Sequence, residues 1–270
     1  MLNSKEYRFL DVGGTFIKCS DGRQIPVPSN GSKDAISLAL KEAIGPLDEL
    51  KGVGVAIPGP FNYSDGIFLM KHKFQSVYGL SFRDLSGLRE EIELKFHHDV
   101  NALLLGAIHQ LGLEKGNTAV VTLGTGLGFA YALDGEVRYN EMGSPARSLW
   151  NIPLCDGGIL EDRVSARGIL SAYNNMTGDN SWSVLSIAEM AYNGEDAAIR
   201  VFHDLGETLG EALKGIIDEL GIETLLLGGQ ISKSMSLFEG PLRDQLSGIS
   251  ILSVPEGAVF EGLSTLFKNK

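Results

Sequence analysis

Asp99 stands in "FHHDVNALLLG", where an apolar strand gives way to the first turn of a helix. A lone Asp at such a boundary is an N-cap. A hydroxyl, however, attacks a phosphorus centre poorly unless a carboxylate takes its proton, an effect of about 10²- to 10⁴-fold, and Asp99 is the candidate base. Asp11 opens a second strand-to-turn junction, "DVGGT". There an acid serves as an Asx-turn acceptor, or faces the Mg²⁺ of a bound nucleotide through water, because Mg²⁺ dehydrates reluctantly. Behind it, Gly13, Gly14 and Thr15 offer bare backbone that a ligand can approach closely, with N–H groups able to form an anion nest. The same chemistry recurs at Gly124, Thr125 and Gly126, and a third glycine pair, Gly228 and Gly229, ends the apolar run "IETLLLGG". One such pair is ordinary turn chemistry; three in this order point to a nucleotide held between two lobes.

Glu141 in "YNEMGS" and Glu161 in "GGILEDRVS" have the chemistry to accept hydrogen bonds from polyol hydroxyls, although glutamates in loops and at helix starts are mostly solvated. His97 and His98 alternate along their strand, so one points inward and the other outward. Packing or hydrogen bonding explains them better than metal ligation.

The elements that position these residues follow from periodicity. Strands are expected at residues 7–12, 16–20 and 24–27, then a helix through "GSKDAISLALKEAIG", the apolar run "GVGVAI", a helix near 82–94, the strand "LKFHHD" and a helix over 101–111. Alternating strands and helices indicate a layered α/β fold. About half a chain later the opening pattern returns in "AVVTLGTGLGFAYALDGEV", which favours two related lobes. Residues 183–220 read as helix broken at Asn193-Gly194, with Val201, Leu205, Leu209, Leu213, Ile216 and Leu220 on one core-facing stripe. The chain closes in the helical stretch "EGAVFEGLSTLFKNK".

The 270 residues carry 43% hydrophobic content, enough for a large core. A formal net charge of -11 repels polyphosphate backbones, and no basic run offsets it, so nucleic acid is not the expected partner. The opening "MLNSKEYRFLDV" has no apolar stretch long enough for a signal peptide, and nothing reaches the roughly 18 apolar residues of a membrane span; the expected location is the cytoplasm. Cys19 and Cys155 alone make neither a disulfide framework nor a four-ligand metal site.

Taken in order, "DVGGTFIK", "GVAIPGPFN", "HDVNALLLG", "LGTGLGFA" and "LLLGGQIS" resemble the motifs of the ROK family of repressors and sugar kinases, across nearly the whole chain. The resemblance implies a two-lobed ribonuclease H-like fold of the actin and hexokinase type, with a duplicated β-β-β-α-β-α core. One lobe would span residues 1–104, completed by the helix at 255–270, and the other, carrying a dimer surface, 105–254. It implies ATP-dependent phosphorylation of a hexose or hexose derivative, with glucose the default substrate, Mg-ATP as the donor and a homodimer as the assembly. Asp99 would be the general base. Asp11, Gly13, Gly14, Thr15, Lys18, Gly124, Thr125, Gly126, Gly228 and Gly229 would surround the nucleotide, with Asp11 meeting Mg²⁺ through water. Pro58, Gly59, His98, Asp99, Glu141, Ser144 and Glu161 would face the sugar.

Three departures from the family pattern stand out. His98 replaces the usual Asn before the catalytic Asp, and Ser144 replaces the His of the Glu-x-Gly-His motif. Of the zinc-binding cysteines only Cys155 lies in the region, too few for a structural zinc that wants about four N/S ligands, so no zinc is expected. The alternative reading is a sugar-sensing protein that binds without turnover. A DNA-reading repressor fits poorly, because too few residues precede the first strand for two helices and a turn.

Overall fold

The computed structural model describes residue 3 and residues 5–155 and 157–268. In chain order the first half contains β1 (Tyr7–Val12), β2 (Phe16–Cys19), β3 (Gln24–Pro26), α1 (Lys33–Ile44), β4 (Gly52–Ile57), the short hairpin β5 (Phe61–Asn62) and β6 (Ile67–Phe68), α2 (Phe82–Ser86), β7 (Glu93–His98) and α3 (Asp99–Leu111). The second half contains β8 (Thr118–Leu123), β9 (Leu127–Leu133), β10 (Glu136–Val137), α4 (Glu161–Val164), α5 (Ala166–Thr177), α6 (Val184–Tyr192), α7 (Asp196–Leu220), β11 (Thr224–Gly228), α8 (Glu239–Gln245), β12 (Ser250–Ser253) and α9 (Ala258–Thr265).

Two five-stranded sheets share one topology, β3-β2-β1-β4-β7 and β10-β9-β8-β11-β12. In each, the glycine turn joins an antiparallel pair, β1 to β2 or β8 to β9, and two parallel strands extend the sheet from the first strand of that pair. The expected β-β-β-α-β-α order is present in both, extended by one more strand and helix. β4 is buried at every position, as the continuous apolar run "GVGVAI" requires of a strand covered on both faces.

Contacts divide the chain into two compact units, Met1–Leu113 with Val137–Ala146 and Pro255–Lys270, and Glu114–Glu136 with Arg147–Val254. The expected cut after residue 104 would fall inside α3, whose hydrogen-bonded helix runs unbroken to Gly112, a left-handed C-cap at φ 69°. In the first unit α9 lies on α3 at unusually close range, made possible by Gly106 and Gly262: a β-carbon on Gly106 would lie 1.7 Å from the Ala258 carbonyl oxygen, and one on Gly262 1.9 Å from that of Ala102. α9 thereby delivers Leu263, and Phe267 just beyond it, to Phe9, Ala56 and Ala102. In the second unit the α7 stripe of Val201, Leu205, Leu209, Leu213 and Ile216 is buried, as its spacing requires, while Leu220 packs at the core's edge.

Two expected helices are shorter. The closing one, expected over 255–270, spans only Ala258–Thr265. The helix expected over 82–94 stops at Ser86, because Gly87 takes a left-handed φ of 69°. Arg83 then holds the following loop, donating to the Arg89 carbonyl at 2.6 Å and the Ile92 carbonyl at 3.0 Å.

Candidate active site

Three adjacent parallel strands of the first unit, β1, β4 and β7, present Asp11, Pro58-Gly59 and His98-Asp99 at their carboxyl ends. Register enforces this: Asp11 pairs with Ala56, Ala56 with His97 and Ile57 with His98. Ligands of open α/β sheets bind at that end, because the side chains and helix N-termini converge there.

Asp99 is the first residue of α3; the N-cap is His98, whose φ/ψ of -61°/137° is still extended. The cap reading of Asp99 is therefore displaced by one residue. His98 Nδ1 lies 2.7 Å from Asp99 Oδ1, and the Val100 amide donates to the same oxygen at 2.8 Å. Among the described residues both contacts fall on Oδ1, and Oδ2 faces no protein donor. Desolvation pushes this carboxyl's pKa up, but the hydrogen bond and charge of His98, the Val100 amide and the Lys73 charge outweigh it and hold the pKa below the ordinary value. Asp99 is ionised at neutral pH.

Asp11 is shifted the other way. Burial raises its pKa, Lys18 opposes that, and the negative charge of Asp99 adds to it. Lys18 is the cross-strand partner of Asp11 in the β1–β2 register and bonds it at 3.2 Å. The Asp11 carboxylate, with the turn beside it, has the donor set of a water-mediated Mg²⁺ site at a phosphate. Gly13 N is spent on the Phe16 carbonyl at 2.9 Å, whereas Gly14 N and Thr15 N donate to no protein group among the described residues. These residues fit an anion and its counter-cation.

The face expected to meet sugar is built around Gly59. A β-carbon there would lie 3.5 Å from Tyr63 Oη, 3.6 Å from Ser144 Oγ and 3.7 Å from His98 Cδ2, so the three side chains enclose it. Tyr63 donates to the Ile57 carbonyl at 3.0 Å, and burial first, then the Asp99 charge, raises its pKa, keeping it a neutral phenol. Glu141 and Ser144 share the 140–144 turn, pinned by Asn140 Oδ1 accepting from Met142 N and Ser144 N at 2.9 and 3.1 Å, and by Asn101 Nδ2 donating to Gly143 at 3.4 Å. Glu141 is exposed there. Tyr63 and Lys73 escaped the sequence reading, since each sits in a segment without periodicity; the signal for Lys73 was the basic triplet Lys71-His72-Lys73 set inside an apolar run.

His97 faces away from His98 and stacks on Tyr139 at 5.7 Å and 7°. Burial lowers its pKa from 6.5 to about 4. A histidine that refuses its proton when folded makes the native state bind fewer protons than the unfolded chain between pH about 4 and 6.5, so stability falls as pH drops through that window. The shift amounts to at most about 3 kcal/mol. Replacing His97 by Phe, which can still stack, is expected to flatten that slope in denaturant titrations at pH 7 and pH 4.5. Equal losses in parent and variant would assign the acid sensitivity elsewhere.

In the second unit the corresponding turn leaves Thr125 N and Gly126 N without a protein acceptor among the described residues, while Gly124 N donates to the Gly126 carbonyl at 3.1 Å. Glu161 is placed against this turn: its Oε2 accepts from Leu127 N at 2.9 Å. Gly229 follows β11 at φ 89°, and a β-carbon on it would lie 2.2 Å from the Leu123 carbonyl, so both conformation and packing demand glycine. Cys155 is exposed, and among the described residues it belongs to no group of three potential metal ligands. No helix among them is long and apolar enough to cross a membrane.

Comparison with known proteins identifies the fold and the family. The chain is 24% identical to a glucokinase of Halalkalibacterium halodurans, over 96% of this chain and 90% of that one. It is likewise 24% identical to a glucokinase of Thermotoga maritima, over 88% and 86%. Its fold is that of a ROK family glucokinase from Streptomyces griseus solved with glucose and AMPPNP, with a TM-score of 0.75, 20% identity and coverage of 95% of this chain and 97% of that one. The duplicated ribonuclease H-like α/β fold is thus the one the motifs implied. Residues 14–256 match the model of the ROK family, and the chain belongs to that family.

Proposed function

We propose that this protein transfers the terminal phosphoryl group of ATP to a hydroxyl of a hexose or hexose derivative, with Asp99 as general base. The observation that carries this reading is Asp99 itself: an ionised carboxylate at the end of three parallel strands, its Oδ1 held by His98 and Val100 and its Oδ2 left to a substrate hydroxyl. The glucokinases it is similar to support the same reaction class.

Mg-ATP, when bound, supplies the phosphoryl group and the charge that its transfer displaces. In the first unit the unpaired amides of Gly14 and Thr15 would hold phosphate oxygens, with Asp11 beside them to take the hydrated cation; in the second unit the unpaired amides of Thr125 and Gly126 would serve an anion in the same way. Asp99 orients the sugar hydroxyl. A carboxylate with a depressed pKa is a weak base, so it takes the proton late, as the new O–P bond forms, in keeping with a loose phosphoryl-transfer transition state. Tyr63, His98 and Ser144 close the sugar face around Gly59, while Glu141 is positioned by its turn to accept a further hydroxyl. His98 in the base's own hydrogen-bond network and Ser144 on the Gly59 wall make the substrate a hexose derivative as readily as glucose.

The test is a panel of hexoses and N-acetylhexosamines with Mg-ATP and direct detection of sugar phosphate. Turnover of at least one sugar is expected. ATP and sugar binding without product across the panel would leave a sugar sensor in place of a kinase.

A further inference from the structure

We propose that Lys73 is a catalytic residue that binds the phosphoryl group in flight, a role that rests on the kinase reading above. The segment 69–75, "LMKHKFQ", carries three basic residues, two of which point outward: Lys71 lies 5.4 Å over the Tyr78 ring and His72 is exposed. Lys73 turns inward. A β-carbon on Gly14 would lie 3.2 Å from its Nζ and 3.3 Å from its Cδ and Cε, so the lysine stem lies along the first glycine turn.

The cation is available. Asp11 is matched by Lys18 at 3.2 Å and Asp99 by His98 at 2.7 Å, whereas Lys73 Nζ has no ion pair or hydrogen bond among the described residues. Its charge nonetheless reaches Asp99, whose pKa it helps to lower. An ammonium without an ion pair, its charge felt at Asp99 and its stem along the turn whose Gly14 and Thr15 amides are unpaired, can meet an anion, and a phosphoryl group is the anion those amides fit.

The position is also held. Phe74 is fully buried at φ 55°, a left-handed conformation that a bulky residue adopts at an energetic penalty, and such strain clusters at functional sites. Its amide donates to the Ser29 carbonyl at 2.6 Å, and Ser29 Oγ donates to the Gly14 carbonyl at 2.5 Å. The backbone that aims Lys73 is therefore tied to the turn that Lys73 covers. A fixed cation at the place where charge moves during transfer acts in the transition state without reorganising.

The experiment compares Lys73→Met, which keeps most of the stem, and Lys73→Arg, which keeps the charge, with the parent protein. Three quantities are read: kcat and sugar KM with Mg-ATP, the calorimetric affinities for AMPPNP and ADP without sugar, and the melting temperature. For Lys73→Met we expect kcat to fall about 10²-fold or more, sugar KM to stay within about threefold, and the ratio of AMPPNP affinity to ADP affinity to fall below that of the parent. Lys73→Arg should recover much of both. An unchanged kcat and an unchanged AMPPNP-to-ADP ratio would overturn the proposal. So would a loss confined to KM for acidic sugars, which would make Lys73 a substrate reader. Should Lys73→Met fail to fold, Lys73→Gln carries the same readouts. If the parent turns over no sugar, the kinase reading fails by itself, while the nucleotide affinities still decide whether Lys73 meets a terminal phosphate.

Discussion

Replacing Asp99 by Asn is expected to lower kcat for sugar phosphorylation about 10²-fold or more while the fold and nucleotide binding persist. The geometry makes this a clean substitution. Both structural contacts of Asp99, from His98 at 2.7 Å and from the Val100 amide at 2.8 Å, fall on one oxygen, which the Asn carbonyl reproduces. What is lost structurally is a negative charge in the first turn of α3, worth about 0.3–1 kcal/mol. What is lost chemically is the proton acceptor, because the Asn amide group that replaces Oδ2 donates and cannot accept. Since the transition state alone needs the base, kcat and kcat/KM should fall together, with sugar affinity little altered. The measurement uses a sugar that the hexose panel shows to be phosphorylated, with melting curves run alongside. If Asp99→Asn turns over at near the parental rate, Asp99 serves only the helix terminus, and the base must be sought at Glu141 or Glu161.

The second large effect is expected in the packing of the first unit. Gly106→Ala places a β-carbon 1.7 Å from the Ala258 carbonyl oxygen, a contact with backbone that no rotamer change relieves. α9 must move off α3, and Leu263 and Phe267 then lose their seat against Phe9 and Ala56. Overpacking of a rigid contact typically costs 1–3 kcal/mol and occasionally more. For this backbone collision we expect about 3 kcal/mol, a drop of roughly 6–12 °C in Tm. Gly215→Ala is the matched control: it is a helical, exposed position with nothing within 4 Å of the added carbon, so the better helix propensity of Ala should stabilise it by up to about 1 kcal/mol. Similar melting temperatures for the two variants would show that α9 yields freely and that the close approach is not a constraint.

The site and its scaffold were legible in the sequence to different depths. β1 begins and ends where the alternation of "YRFLDV" places it, and α7 buries the stripe its spacing draws, because strand and helix periods are local properties of the chain. Asp99 at a strand-to-helix junction and the three glycine turns were equally legible, since a turn's chemistry is written in the few residues that make it. The helix near 82–94 was not, because its apolar spacing continues past Gly87 while the left-handed cap and the two Arg83 hydrogen bonds end it.

Tertiary structure alone decided the rest. That residues 137–146 join the first unit, and that Gly106 meets α9 at Gly262, are contacts between segments far apart in sequence, and no periodicity records them. The environment of the carboxylates is of the same kind: two aspartates of one residue type, Asp11 with its pKa raised and Asp99 with its pKa lowered, differ only in what burial and neighbouring charges do to them. Lys73 is the sharpest case. Its type and number said only that a cation lay in a loop; the left-handed turn at Phe74 and the Ser29 bridge, both products of packing, set that cation on Gly14. The sequence determined which chemical groups this protein owns and which strand ends carry them, because those depend on neighbours a few residues away. The fold determined which groups meet and in what protonation state, because distances and desolvation exist only once the sheets have formed.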